Sequence, residues 1–99
     1  MCDEERSNKD RRALYLCQAQ QDVLDELKRA AQKFGSFASA HEGYAILLEE
    51  VDELWDAVRM HGGADRQPQL YTEAVQVAAM ALEFLIMLKC QAEDADEST

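Results

Sequence analysis

The stretch HEGYAILLEEVDELWD, His41–Asp56, decides how the chain must fold. Apolar residues recur at Tyr44, Leu47, Leu48, Val51, Leu54, Trp55 and, just beyond, Val58. That spacing is one side of a 3.6-residue helix, and it predicts a helix packed onto a core through this stripe. Winding the segment at about 100° per residue places Glu50 and Glu53 together on the flank of the stripe, with Ile46 and Ala57 sharing that flank. Two like charges on a half-buried flank repel unless something cationic sits between them, so the pair is a candidate divalent-metal site. Glu49, Asp52 and Asp56 fall on the outer side, where solvated carboxylates are expected.

Working outward, the box Ser39-Ala-His-Glu42 matches the S-x-x-E capping signature and sets the start of this helix. Its end is expected near Met60, because His61-Gly62-Gly63 supplies a C-terminal helix residue and then a left-handed terminator. His41 reads as an exposed first-turn residue, with no cysteine or histidine at metal-ligand spacing. Upstream, Ser7 and Asp10 suggest a weak capping box opening a long helix that runs to about Phe34, where Gly35 stops it. Leu14, Cys17, Leu24, Leu27, Ala31 and Phe34 give that helix its apolar face. Lys28, Arg29 and Lys33 sit near its C-terminus. They suit a solvated face next to the helix dipole, or they reach an anionic substrate held between helices.

Downstream, Ala64–Gln67 form a polar loop and Pro68 fits the first turn of a third helix. Leu70 to Cys90 is apolar nearly all round, a rod that needs burial on most sides. Glu73, Gln76 and Glu83 keep it below the run of about 20 apolar residues that a bilayer requires. Residues 1–8 and the acidic 91–99 are expected to be flexible tails on a single 1–99 domain.

The fold class expected is therefore all-α, with three main helices in a bundle completed by oligomerisation. A chain of 99 residues gains much from burying more surface against a partner subunit, and a homodimer or homotetramer is expected. One proline and four glycines leave little room for β-turns. The formal charge of -10 argues against nucleic acid as a partner, since phosphate-backbone affinity comes from clustered Lys and Arg. No membrane span is expected. Cys2, Cys17 and Cys90 form no metal or redox spacing and read as reduced thiols of a cytoplasmic protein.

Glu73, Gln76, Met80 and Glu83 recur as one stripe along the third helix. Burying Glu73 without a partner would cost several kcal/mol, and the cheapest partner is a cation shared with Glu50 and Glu53. Two antiparallel helices, each presenting oxygen ligands three residues apart, can cage Mg²⁺. The sequence EEVDE at 49 to 53, followed by EAVQVAAMALEFL at 73 to 85, resembles the MazG-like, all-α nucleoside triphosphate pyrophosphohydrolases. That family is marked by Glu-Glu-x-x-Glu on one helix and Glu-x-x-Asp on the next. The resemblance covers roughly residues 39 to 90. It implies Glu50, Glu53 and Glu73 as metal ligands and Glu49 as the residue that orients or deprotonates the attacking water. Gln76 stands where the family has Asp; an amide oxygen can bind Mg²⁺ without charge, so the site holds three carboxylates and should bind metal more weakly. Glu83, seven residues on, lies about 10 Å further along the helix and cannot replace that ligand.

The activity implied is Mg²⁺-dependent hydrolysis, with Mn²⁺ as a possible substitute, of a nucleoside or deoxynucleoside triphosphate, including non-standard ones, to the monophosphate and pyrophosphate. Lys28, Arg29 and Arg66 are the candidate phosphate contacts. Trp55 or Tyr44 is the candidate base-stacking residue, set against the alternative that both simply pack the core. The competing expectation is a relative with weak or no catalysis that serves as a nucleotide-binding or interaction module.

Overall fold

The computed structural model describes residues 7–60, 62–64 and 66–97. They form three helices, α1 (Ser7–Phe34), α2 (Ala40–Arg59) and α3 (Arg66–Glu97), with no strand among the described residues. The all-α expectation holds. Gly35 ends α1 at φ +74, donating its N–H to Ala31 O at 3.0 Å, a conformation that L side chains rarely adopt. Ser39 is extended and caps α2: its Oγ accepts from Glu42 N at 3.1 Å, while Glu42 Oε1 accepts from Ala38 N at 3.1 Å. The capping box read from the sequence is thus present, with the glutamate reaching one residue further back than the usual reciprocal bond.

The C-terminal end of α2 is satisfied from a distance. Met60 donates its N–H to Ala57 O at 3.3 Å, and Arg66 donates Nη2 to Val58 O at 3.1 Å and Nε to Met60 O at 3.2 Å. Carbonyls that an isolated helix leaves open thereby acquire a cationic partner. His61, expected at this helix end, lies outside the described residues. Helix α3 begins at Arg66, which puts Pro68 in its first turn, as expected. Its other end differs: the helix continues past Cys90 to Glu97, where a flexible acidic tail was expected. Gln91–Glu97 contains neither glycine nor proline, and its alanines and glutamates are good helix formers, so nothing local stops the helix there.

Helices α1 and α2 each pack against α3 and not against one another. The core consists of Ala30, Phe37, Ala79, Met80 and Met87, with Val23, Leu27, Ile46, Leu47 and Phe84 partly buried against it. Close approach of α2 to α3 depends on Gly43, where an added Cβ would lie 2.8 Å from ring carbons of both Phe37 and Phe84. Tyr71 on α3 donates its hydroxyl to Asp22 Oδ2 on α1 at 2.5 Å, a tie between those two helices. The molecule is a slab of 62 × 34 × 19 Å.

One expectation is overturned. The apolar stripe of α2 does not face the core of the chain: Tyr44, Leu48, Val51, Trp55 and Val58 are all exposed, Tyr44 at 62% and Trp55 at 57%. The face that packs is the narrower one carrying Gly43, Ile46, Leu47, Leu54 and Ala57. Its small residues let the helix axes approach, and van der Waals contact with α3 then excludes the bulkier stripe. On α1 the expected apolar face is likewise incomplete, with Leu14, Cys17 and Leu24 outward and Val23, Leu27 and Ala30 inward. On α3, Leu85, Ile86 and Leu88 also remain exposed. No helix among the described residues is long and apolar enough to cross a membrane.

Candidate functional site

Because α1 and α2 stand apart on α3, a groove opens between them, and it contains a cavity of about 380 Å³. Helix α3 forms its floor through Gln76, Met80 and Glu83. Glu26, Arg29 and Lys33 line it from α1, Ile46, Glu49, Glu50 and Glu53 from α2, and Phe37 from the connection. A cleft of this size with apolar walls and convergent polar groups is the ordinary form of a small-molecule site.

At one end the carboxylates come together. Glu50, Glu53 and Glu73 each present a ligand oxygen within 4.8 Å of the others. The i, i+3 pair of α2 and Glu73 of the neighbouring antiparallel α3 produce that convergence. Gln76 completes the group one turn after Glu73. With its Nε2 turned inward, the Gln76 amide donates to Glu73 Oε2 at 3.1 Å and Glu50 Oε2 at 3.0 Å. With its Oε1 turned inward instead, four oxygens face one another, the donor set of a hard divalent cation.

The electrostatics register the crowding. Burial, reinforced by the charge of Glu53, a hydrogen bond with Glu53 and the charge of Glu73, pushes the Glu50 carboxyl up to about 7. Burial and the nearby Glu53 also raise Glu73, although an N–H from Gln69 Nε2, 2.7 Å from Glu73 Oε1, works in the opposite direction. A dication among these oxygens would replace repulsion by attraction, and the donor chemistry fits Mg²⁺ or Mn²⁺.

The other residues expected to matter are distributed unevenly. Glu49 is exposed and lines the cavity beside Glu50, where water can reach it. Arg29 also lines it, held by Glu26 through Nε to Oε1 at 3.0 Å and Nη2 to Oε2 at 2.5 Å; that hydrogen bond and the Glu26 charge hold its guanidinium above the usual arginine range. Lys28 is exposed and outside the lining, one position round the helix from Arg29. Arg66 is occupied in capping α2. Trp55 lies on the outward stripe beneath Arg59, whose guanidinium sits 5.8 Å from the ring centroid, and it is not part of the cavity lining. Phe37, Glu26 and Glu83 carry cavity surface that the sequence reading did not assign to a site; for Glu83 the signal was its place on the Glu73–Gln76–Met80 stripe. No protein-family model, no curated protein sequence and no solved structure matches the chain.

Proposed function

We propose that this chain is a Mg²⁺-dependent nucleoside triphosphate pyrophosphohydrolase of the MazG-like kind, converting a nucleoside or deoxynucleoside triphosphate and water to the monophosphate and pyrophosphate. The observation that carries the reading is the convergence of Glu50, Glu53 and Glu73 within 4.8 Å at the end of a cavity that Glu49 also lines. Glu50, Glu53, Glu73 and the Gln76 amide oxygen would hold the ion. Bound there, Mg²⁺ would neutralise phosphate oxygens and acidify a water molecule. Glu49 takes the proton of the attacking water as its oxygen bonds to the α-phosphorus and the bond to the leaving pyrophosphate breaks. Lys33 and Arg29 line the opposite wall and would face the phosphates, Arg29 after exchanging Glu26 for a phosphate oxygen. A cytoplasmic setting, where such nucleotides are found, belongs to the same proposal.

The outward stripe of α2 supports self-association. Tyr44, Leu48, Val51, Trp55 and Val58 are exposed along one side of α2, and a homodimer or homotetramer would cover them. The second reading, a nucleotide-binding or interaction module with little turnover, is favoured by Gln76, which leaves the cluster one carboxylate short.

Pyrophosphate release from a panel of nucleoside triphosphates, across a Mg²⁺ and Mn²⁺ titration, tests the proposal with the wild type, Gln76→Asp and Glu50→Gln. Metal-dependent release by the wild type that disappears in Glu50→Gln is expected. Gln76→Asp should tighten metal binding. Absence of metal-dependent release in all three defeats the hydrolase reading.

A further inference from the structure

The cavity has a second pole. Glu83 is only 7% exposed and lines the cavity seven residues beyond Gln76, about 10 Å along α3 from the carboxylate cluster. No hydrogen bond or ion pair reaches it from any described residue. Among the described residues no fully enclosed side-chain oxygen is left without a partner, so the Glu83 oxygens face cavity space rather than packed protein. The cavity that it shares is lined by buried Phe37 and Met80 with Ile46 and Ala30, and on the α1 wall by the cations Arg29 and Lys33. A carboxylate this deeply buried needs donors, and among the described residues none donates to it.

We propose that Glu83 recognises the Watson–Crick edge of a guanine base. A carboxylate offers two acceptors side by side, and guanine presents two parallel donors, N1–H and the 2-amino group. Hypoxanthine presents one of them. Adenine and cytosine each pair a donor with an acceptor, and uracil flanks its single N–H with carbonyls. With the ring against Phe37 and Met80, the separation of about 10 Å from Glu83 to the metal-binding end is comparable to the reach from a base edge to the 5′ phosphate. The inference depends on the nucleotide reading of the cavity and not on turnover.

Calorimetric binding of GMP, IMP and AMP to the full chain in EDTA isolates the base, because all three carry the same sugar and phosphate. GMP should bind tightest, with IMP roughly tenfold and AMP roughly 100-fold weaker. Glu83→Gln should compress that range. Equal affinities in the wild type, no binding at millimolar nucleotide, or an unchanged guanine preference in Glu83→Gln would overturn the assignment. Should the variant lose its helicity, the wild-type series decides alone. A guanine preference without pyrophosphate release would defeat the hydrolase and leave Glu83 in place; release without base preference would do the reverse.

Discussion

Replacing Glu50 by Gln should stabilise the metal-free protein at pH 8 and leave it nearly unchanged at pH 5. The Glu50 carboxyl is raised from 4.5 to about 7 by burial and its acidic neighbours. A group whose folded pKa is raised contributes stability that is fully present below its unfolded value and is lost as pH rises through the folded value, here a window from 4.5 to about 7. The full shift corresponds to about 3 kcal/mol, and partial solvation of the cluster reduces the expected loss to roughly 1–2 kcal/mol. For a chain of this size that is roughly 4–16 °C in melting temperature. Glutamine is close to isosteric and carries no charge, so the variant should lack this part of the pH dependence. Urea unfolding at pH 5, 6, 7 and 8 in EDTA, at one protein concentration, measures the difference between the two proteins. Parallel pH profiles would refute the reasoning, since Glu50 would then be an ordinary solvated carboxylate. If the chain is the proposed hydrolase, the same substitution should abolish metal-dependent pyrophosphate release, so that the more stable protein at pH 8 is the inactive one.

Three further outcomes are expected. Mg²⁺ or Mn²⁺ should raise the melting temperature by binding only the folded cluster, and Glu73→Gln should remove most of that gain; an unchanged melting curve would mean that the carboxylates hold no metal. Gly43→Ala gains ~1 kcal/mol of helix propensity but sets a methyl 2.8 Å from two phenylalanine ring carbons, so a net loss of ~1–2 kcal/mol is expected by urea unfolding. A more stable Gly43→Ala would show that α2 does not approach α3 as described. Light scattering should report a dimer or larger for the wild type and a smaller species for Trp55→Asp with unchanged helicity, whereas a wild-type monomer at micromolar concentration would remove the case for self-association.

The helix count and most helix ends were legible because their signals are local: Ser39 accepts from Glu42 N while Glu42 accepts from Ala38 N, Gly35 takes a left-handed conformation, and Pro68 sits where its missing N–H costs nothing. The convergence of Glu50, Glu53 and Glu73 was legible for a related reason, since three-residue spacings on antiparallel helices leave few alternatives. Which face of α2 turns inward was not. Periodicity counts apolar residues, and the outward stripe has more of them, but packing selects the face that permits close approach; Gly43 and Ala57 carry little hydrophobic signal. The role of Arg66 was hidden because the carbonyls of Val58 and Met60 that it caps come near only once the loop folds back. The exposed position of Trp55 follows from the same choice of face.

The separation of α1 from α2 has an energetic consequence. The backbones of the two walls share α3 as a neighbour but stay apart, so apolar substitutions on one wall should combine additively with those on the other, while the charges of Glu26 and Arg29 still couple to Glu50 across the groove. A double-mutant cycle between Ala30 and Ile46 should return a coupling energy near zero, while either one paired with Met80 of the floor should not. Each wall of the cavity can therefore change its side chains without forcing the other to repack, and a new ligand shape can be reached one substitution at a time.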